Sequence, residues 1–226
     1  MDQRNIQIQV DEKIGEVSGI LQRPDDAKAL LVFAHGAGAG MQHPFMTAVA
    51  EKLAARGMGT FRYQFPYMEQ GRKAPNPQST LVRTVRAAVE TAASLAEGLP
   101  LFAGGKSMGG RMTSLAAAED PFPQVRGLVF FGFPLHAPGK PSKHRGDHLH
   151  QVRVPMLFLQ GTRDKLADLS LLTPLCESLG KRAHLHIVEG GDHSFHVLKR
   201  SGRTDDDALD EVVASASDWM TGQGGR

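Results

Sequence analysis

Cysteine is nearly absent from this sequence, which contains only Cys176 among its 226 residues. A single cysteine cannot form an internal disulfide, so we expect the protein to work in a reducing compartment, the cytoplasm. Long apolar runs are also missing, and none approaches the roughly 18 residues of a membrane span. The opening segment, MDQRNIQIQV, lacks the basic patch and the apolar run of a signal peptide.

An excess of charge of one sign is missing as well. The formal net charge is +2, which is too small for the basic surface that binds nucleic acid. We therefore expect no nucleic-acid partner and no membrane partner. No internal repeat, low-complexity tract or linker divides the chain, and its length suits one hydrophobic core. We predict a single domain over residues 1–220 and a flexible tail over 221–226, with the sequence TGQGGR.

Apolar runs alternate with helical patterns along most of the chain. Ile6, Ile8 and Val10 alternate with polar residues, which predicts a half-exposed antiparallel edge strand, and a second strand is predicted nearby, over 15–21. Continuous apolar runs, typical of strands buried on both faces, follow at 29–34, 59–65, 101–104, 127–132, 155–159 and 184–188. Helical patterns occupy 45–56, 80–97, 108–118, 169–179 and 207–220. This alternation predicts an α/β fold with a mostly parallel central sheet and helices on both faces.

The segment GKSMG, centred on Ser107, fits the G-x-S-x-G nucleophile elbow. It follows the apolar run LFAG and precedes a helical segment rich in small residues. The serine of such an elbow takes a strained backbone conformation, and the flanking glycines let the strand and the helix approach each other. The helix N-terminus also offers N–H donors to a developing oxyanion. A serine N-cap after a glycine turn is the alternative interpretation, but the strand before and the helix after favour Ser107 as the catalytic nucleophile.

A serine hydroxyl needs an adjacent base, and the position of His193 makes it the best candidate among ten histidines. It lies in GGDHSF, directly after the last predicted strand and before the last helix. Asp164 comes from the loop after the preceding strand and is predicted to orient the imidazole, although it could instead be a helix N-cap. Asp168 lies one helical turn further on, and Asp192 is too close in sequence to His193 to bond its ring. The chain order Ser, Asp, His differs from the serine-protease orders.

The glycine-rich turn HGAGAG follows the first buried strand. Small residues there allow the backbone to approach a substrate carbonyl closely, which predicts an oxyanion hole. We expect the N–H groups of Ala37 and Met108 to form it, with Gly38 as the substitute for Ala37. A phosphate-binding loop is the competing interpretation, but no G-K-[ST] follows the glycines.

Together, HGAGAG, GGKSMGGR, GTRD and GGDHSF resemble the α/β-hydrolase superfamily over nearly the whole chain. The elbow followed by Gly-Gly-Arg is similar to the dienelactone-hydrolase-like branch, whose members usually carry cysteine where this chain has Ser107. AHGAGAGMQHPFM, FRYQFPYMEQGRKAPNP and FFGFPLHAPGKP more closely resemble a family of small hydrolase-like proteins. Eukaryotic relatives of that family include a subunit of a nuclear histone acetyltransferase (NSL) complex, in which the domain serves assembly more than chemistry. The resemblance implies an α/β-hydrolase fold and leaves the substrate open.

Several further residues are predicted near the substrate. Lys106, together with Arg111 and Arg72, would give the mouth of the site a positive charge that favours an anionic substrate, unless these side chains are simply solvated. Tyr67, beyond the aromatic strand, is predicted to form a wall of the acyl pocket, and Gly38 to lie against the substrate.

No metal site is predicted from the histidines. Two of them alternate on one predicted strand and lack a third ligand, and four lie in one basic loop without an established metal spacing; these are His184, His186, His136, His144, His148 and His150. Cys176, inside a predicted helix, is interpreted as a small core residue.

These residues predict a serine hydrolase that cleaves a carboxylic ester or thioester of a small-molecule acyl substrate through an acyl-enzyme on Ser107. The reaction needs no cofactor and no metal. The loops 68–78 and 136–151 follow strand ends and are too short for a lipase-type cap, so we expect an open site. Two alternatives remain open: a non-enzymatic interaction module on a hydrolase fold, and a hydrolase of amide, peptide or lactone bonds.

Overall fold

The computed structural model describes residues 1–224. Its strands are β1 (Asp2–Asp11), β2 (Gly15–Arg23), β3 (Ala29–Ala34), β4 (Met58–Tyr63), β5 (Leu101–Lys106), β6 (Val125–Phe131), β7 (Met156–Gly161) and β8 (Ala183–Val188). They form one eight-stranded sheet with the order β1-β2-β4-β3-β5-β6-β7-β8. Strands β3 to β8 are parallel, whereas β1 and β2 run antiparallel to their neighbours. The predicted antiparallel edge strand and the mostly parallel sheet are both confirmed.

Helices cover both faces of this sheet. They are α1 (Pro44–Ala54), α2 (Pro66–Glu69), α3 (Gln78–Leu95), α4 (Met108–Glu119), α5 (Leu169–Ser178) and α6 (Asp205–Gly224). One face packs against α1 and α6, and the other packs against α3, α4 and α5. Successive side chains of a strand point to opposite faces, so β3 must be apolar at every position. Accordingly Val32 and Ala34 join one core and Leu31 and Phe33 join the other.

The ends of some elements differ from the prediction. Strand β4 stops at Tyr63, because Phe65 precedes a proline and Pro66 begins α2. Helix α2 therefore occupies the start of the segment predicted as a loop over 68–78. The other predicted loop, 136–151, contains a 3₁₀ helix at His144–Gln151 that packs against α4.

The last helix extends further than predicted. Residues 221–224 fall in the predicted flexible tail, but α6 continues to Gly224. The Thr221 hydroxyl donates to the Ser217 carbonyl at 2.9 Å, and the Arg126 guanidinium donates to the Gly224 carbonyl. These bonds satisfy the end of the helix. The remainder of the predicted tail, Gly225 and Arg226, lies outside the described residues.

The carboxyl edge of the sheet is open. Between β6 and β7, where a cap could be inserted, residues 1–224 contain only the 3₁₀ helix at His144–Gln151. In the same part of the chain, none of the helices has the length and the hydropathy that a membrane span requires.

Candidate active site

Ser107 lies at the turn between β5 and α4 with φ 51° and ψ −117°. Positive φ is unfavourable for a residue with a Cβ, so the surrounding packing must hold this conformation. A Cβ added at Gly105 would lie 2.4 Å from the Ala34 carbonyl oxygen, and one at Gly109 would lie 2.5 Å from the same atom. Both glycines of the elbow are therefore required, because β3 crosses too close to β5 and α4 for any side chain.

His193 connects the nucleophile to a carboxylate. Its Nε2 lies 2.8 Å from the Ser107 hydroxyl oxygen, and its Nδ1 lies 2.7 Å from Oδ2 of Asp164. With the proton on Nδ1, the imidazole donates to the carboxylate, and Nε2 accepts the serine proton. The histidine comes from the loop after β8 and the aspartate from the loop after β7. The structure thus brings together the three residues predicted to form the catalytic triad.

The Asp164 carboxylate is fully buried and held by the surrounding protein. Its Oδ1 accepts the Leu166 N–H at 2.7 Å, and Oδ2 also accepts the side-chain amide of Gln160. The side-chain oxygen of Gln160 in turn accepts the Phe133 N–H at 2.9 Å. Gln160 was not singled out from the sequence, although a buried amide at the end of the apolar run PMLFLQ was a usable signal.

The two competing carboxylates have other roles. Asp168 caps α5, since its Oδ1 accepts the Ser170 N–H at 2.9 Å. Asp192 stabilises the histidine loop by accepting the N–H groups of Ser194 at 2.8 Å and His196 at 2.9 Å.

The predicted oxyanion donors have unused N–H groups. Within residues 1–224 neither Ala37 nor Met108 donates its backbone N–H to a protein acceptor. Met108 is the first residue of α4, where an unpaired N–H is inherent to the helix. Gly38 differs, because its N–H donates to the Tyr67 hydroxyl at 2.9 Å. Gly38 is therefore not an available substitute donor, and of the two loop residues only Ala37 lines the cavity beside Ser107.

The comparisons with known proteins agree with this geometry. Residues 27–221 match the family model described as "Alpha/beta hydrolase domain". The chain belongs to this α/β-hydrolase family. Among solved structures, the domain resembles the dienelactone hydrolase of Anabaena variabilis ATCC 29413, at 24% identity over 96% of each chain with a TM-score of 0.74. It also resembles Est1E of Butyrivibrio proteoclasticus with ferulic acid bound, at 18% identity over 98% of this chain and 100% of that one, with a TM-score of 0.75.

A third structure is XC6422 of Xanthomonas campestris, described as an α/β serine hydrolase without a lid. The identity is 19% over 97% of this chain and 95% of that one, with a TM-score of 0.72. At such identities the likeness shows the fold alone, and it confirms the predicted α/β-hydrolase fold. A Mycobacterium tuberculosis protein (strain ATCC 25618 / H37Rv) named "Putative phosphoribosyl transferase" is 28% identical over 96% of this chain. The hydrolase chain spans only 46% of the length of that relative.

Tyr67 was predicted to form a wall of the acyl pocket, but it does not line the cavity beside Ser107. Its side chain is fully buried behind the glycine loop, where its hydroxyl accepts the Gly38 N–H. His35 supports the same loop: it donates from Nδ1 to the Gly36 carbonyl at 2.7 Å and accepts the Phe65 N–H at Nε2, at 3.1 Å. Burial lowers the pKa of His35 to about 4, so the ring is neutral at pH 7. The two side chains hold the glycine loop, residues 35–40, from behind.

The predicted positive mouth is also revised. Lys106 reaches the inner wall of the cavity rather than its rim, because its ammonium donates to the backbone carbonyl of His193. Burial lowers the pKa of Lys106 to about 8. Arg72 is exposed and Arg111 is half-buried, and neither lines the cavity beside Ser107.

The cavity beside Ser107 has a volume of about 340 Å³. It is lined by Gly36, Ala37, Ala39, His43, Phe45, Met46, Lys106, Ser107, Leu166, His193 and Ser194. A second cavity of about 420 Å³ adjoins it and shares His43, Phe45 and Ser194 with it. This second cavity, the α1/α6 groove, is further lined by Pro44, Ala48, His196, Asp205, Asp206 and Leu209.

Two further histidines and the cysteine have structural roles. His186 bonds Glu211 at 2.8 Å, and Nε2 of His136 accepts the Asp168 N–H at 2.8 Å. Within residues 1–224 no group of three His, Cys, Asp or Glu side chains is arranged to hold a metal. Cys176 is buried, and burial raises the pKa of its thiol to about 12, so it is not a nucleophile at neutral pH.

Proposed function

We propose that this domain is a serine hydrolase that cleaves a carboxylic ester or thioester through an acyl-enzyme on Ser107. The observation that carries the proposal is the continuous hydrogen-bonded chain from Ser107 through His193 to Asp164, with distances of 2.8 and 2.7 Å. A buried carboxylate, an oriented imidazole and a strained serine are the parts that activate a hydroxyl at neutral pH.

The reaction proceeds in two halves. His193 takes the Ser107 proton as the serine oxygen attacks the substrate carbonyl carbon, and the N–H groups of Ala37 and Met108 bind the oxyanion. His193 then gives that proton to the departing alcohol or thiol, which leaves an acyl group on Ser107. Water attacks the acyl carbon and passes a proton to His193. When the tetrahedral intermediate collapses, Ser107 departs and takes the proton back, which releases the carboxylic acid.

The names of similar proteins support a hydrolase. A dienelactone hydrolase, an α/β serine hydrolase without a lid, and Est1E, whose structure holds ferulic acid, share this fold. The open carboxyl edge is consistent with an enzyme that acts without a lid. The phosphoribosyl transferase name belongs to a relative about half of whose length this chain covers, and the serine site gives no support for phosphoribosyl transfer here.

The lining of the two cavities suggests where the acyl chain binds. Phe45 lines both cavities, and Ala48 and Leu209 extend the apolar surface into the α1/α6 groove. An acyl chain attached at Ser107 would pass Phe45 and enter this groove, so we propose an elongated apolar acyl group as the substrate class.

Labelling with a fluorescent fluorophosphonate tests the proposed function. We expect wild type and Ser79→Ala to be labelled and Ser107→Ala to remain unlabelled, since Ser79 is exposed at the start of α3 and far in sequence from the elbow. A folded wild type that is not labelled would contradict the proposal. That result would favour the interaction-module alternative, as in the assembly subunit of the NSL-related family.

Some predictions rest on the sequence alone. The cytoplasmic location and the lack of a nucleic-acid or membrane partner remain predictions, as does the preference for an ester or thioester over an amide or lactone.

A further inference from the structure

Lys106 is the last residue of β5 and immediately precedes the nucleophile. It is 8% exposed, and its ammonium donates a hydrogen bond to the backbone carbonyl of His193. The residue before the nucleophile is thereby bonded to the main chain of the general base. Within residues 1–224 this is the only hydrogen bond of the ammonium.

The surroundings of this ammonium make its burial costly. No carboxylate of the described residues forms an ion pair with it, and the rings of Phe45 and Phe195 lie 5.5 and 5.7 Å from Nζ. Contacts with aromatic faces offset only part of the lost hydration. The carboxylates that act on it from further away are Asp164 and Asp192. A methionine would fill the same space between the rings without this cost, so the charge itself calls for an explanation.

The charge lies close to the imidazole of His193. A Cβ built on Gly132 would be 2.9 Å from Nζ of Lys106 and 3.3 Å from Nδ1 of His193. The two nitrogens are therefore at most about 6 Å apart, in an interior where charges interact more strongly than in water. Gly132 has φ 71°, a conformation that favours glycine, and its lack of a side chain leaves this space free.

We propose that Lys106 is a positioning residue for His193, which it serves in two ways. Its hydrogen bond fixes the main chain that carries the imidazole over Ser107, and its positive charge opposes protonation of the imidazole, so that the base stays available at lower pH. The Asp164 carboxylate, 2.7 Å from Nδ1, acts on the imidazole in the opposite sense and from a shorter distance. The proposal rests on the proposed serine hydrolase function.

The two effects can be separated by three substitutions. Lys106→Met removes the charge and the donor, Lys106→Gln keeps a donor without charge, and Lys106→Arg keeps both. Lys181→Met is the matched control, because Lys181 is an exposed lysine of the Gly180–Arg182 turn. The readout is the second-order rate constant of fluorophosphonate labelling between pH 5 and 9, together with the melting temperature of each variant.

We expect Lys106→Met to label about 10–100-fold more slowly at pH 7, as is typical when a charged hydrogen bond is lost and a base is misplaced. The acid limb of its plot of labelling rate against pH should move to higher pH by about 0.5–1 pH unit. Lys106→Gln should share that displaced limb but label faster than Lys106→Met, and Lys106→Arg should keep the limb of wild type. A folded Lys106→Met with the wild-type rate and the wild-type limb would overturn the proposal.

A second measurement does not depend on reactivity. The imidazole C–H resonance of His193, assigned by its loss in His193→Gln, can be followed with pH by NMR. We expect it to titrate at lower pH in wild type than in Lys106→Gln, and identical titrations would overturn the electrostatic part. A wild type that shows this difference but no labelling would contradict the proposed hydrolase function while supporting the role of Lys106.

Discussion

The two tyrosines of the chain lie on neighbouring segments but differ in what their hydroxyls do. The Tyr67 hydroxyl accepts the Gly38 N–H at 2.9 Å, next to the predicted oxyanion donor Ala37. The Tyr63 hydroxyl is buried beside Thr113, and among the described residues no hydrogen bond joins it to the glycine loop. Tyr63 therefore serves as an internal control when the support of the glycine loop by Tyr67 is tested.

We predict that Tyr67→Phe lowers kcat/KM for ester hydrolysis by about 3–10-fold, the range expected for one neutral hydrogen bond. The decrease should lie in kcat, because a looser Ala37 N–H weakens binding of the oxyanion more than binding of the substrate. Steady-state kinetics of Tyr67→Phe and Tyr63→Phe make the comparison. Equal kinetics for both variants and wild type would show that the hydroxyl does not support the loop.

His35 links the same loop to the pH dependence of stability. Burial holds the pKa of His35 at about 4 in the folded protein, whereas an unburied histidine has a pKa of 6.5. Between these values the unfolded chain binds a proton that the folded chain does not, so stability falls as the pH is lowered from about 6.5 to about 4. The contribution is at most roughly 3.5 kcal/mol, from 1.36 kcal/mol per pH unit.

Urea unfolding at pH 6.5 and 4.5 measures this effect. We expect the loss of unfolding free energy between the two pH values to be smaller in His35→Gln than in wild type. His148, whose pKa burial also lowers to about 4, contributes in both proteins and cancels in the comparison. Equal losses would exclude His35 as a source of acid sensitivity.

The role of a single residue was predictable from the sequence where a local motif determines the position of its side chain. Ser107, His193 and Asp164 each follow a strand end, and the elbow motif, these positions and the chain order together identified their roles. Tyr67 was expected to line the acyl pocket but turns inward to bond the backbone of Gly38, and Lys106 lines the cavity wall while its ammonium bonds the backbone of His193. The direction of a side chain depends on its tertiary neighbours, which sequence spacing does not show.

Among the elements, β3 and α4 pack closely beside the nucleophile. A Cβ on Gly109 would meet the carbonyl oxygens of Ala34 at 2.5 Å and His35 at 2.6 Å. These are backbone atoms, so relief requires that the helix move away from the strand. By contrast, Gly222 in α6 has open space around the position of a Cβ.

We predict that Gly109→Ala lowers the unfolding free energy by about 1–3 kcal/mol, as overpacked sites do, and that it slows fluorophosphonate labelling because Ser107 is displaced. Gly222→Ala should be neutral or slightly stabilising, since alanine is the better helix former. Thermal melts and labelling rates of the two variants check this. A fully stable and reactive Gly109→Ala would contradict the close packing of the elbow.

The first turns of α1 and α6 form the α1/α6 groove next to the catalytic cavity. If the acyl chain lies there, Ala48→Phe should raise KM for medium and long acyl esters by about tenfold or more, given 1–3 kcal/mol for overpacking a site. Short-chain esters should be unaffected. Ala55→Phe, at the exposed opposite end of α1, is the control. An unchanged chain-length profile would place the acyl group elsewhere.

Element types were predictable from hydrophobic periodicity, whereas several ends were not. β3 matches its predicted bounds because the apolar run ends abruptly at the glycine loop. The extension of α6 to Gly224 depends on a bond from Arg126, which is distant in sequence. Contacts of this kind override the low helix propensity of glycine.

At the scale of the whole molecule, the alternation of strands and helices predicts a mostly parallel sheet, whereas the strand order is known only from the structure. The order places the ends of β5, β7 and β8 along one edge, which is why three residues distant in sequence meet there. The fold class could therefore be predicted from the sequence, although the strand order was not. The substrate could not, because it depends on cavities formed by loops and helix ends.

Turnover of a short-chain p-nitrophenyl ester by wild type and Ser107→Ala tests the central claim most directly. We predict that kcat/KM falls about 10³–10⁶-fold in Ser107→Ala, because only the oxyanion donors and substrate binding remain, while Ser79→Ala retains wild-type turnover. A folded Ser107→Ala that hydrolyses the ester at the wild-type rate would contradict the assignment of Ser107 as the nucleophile.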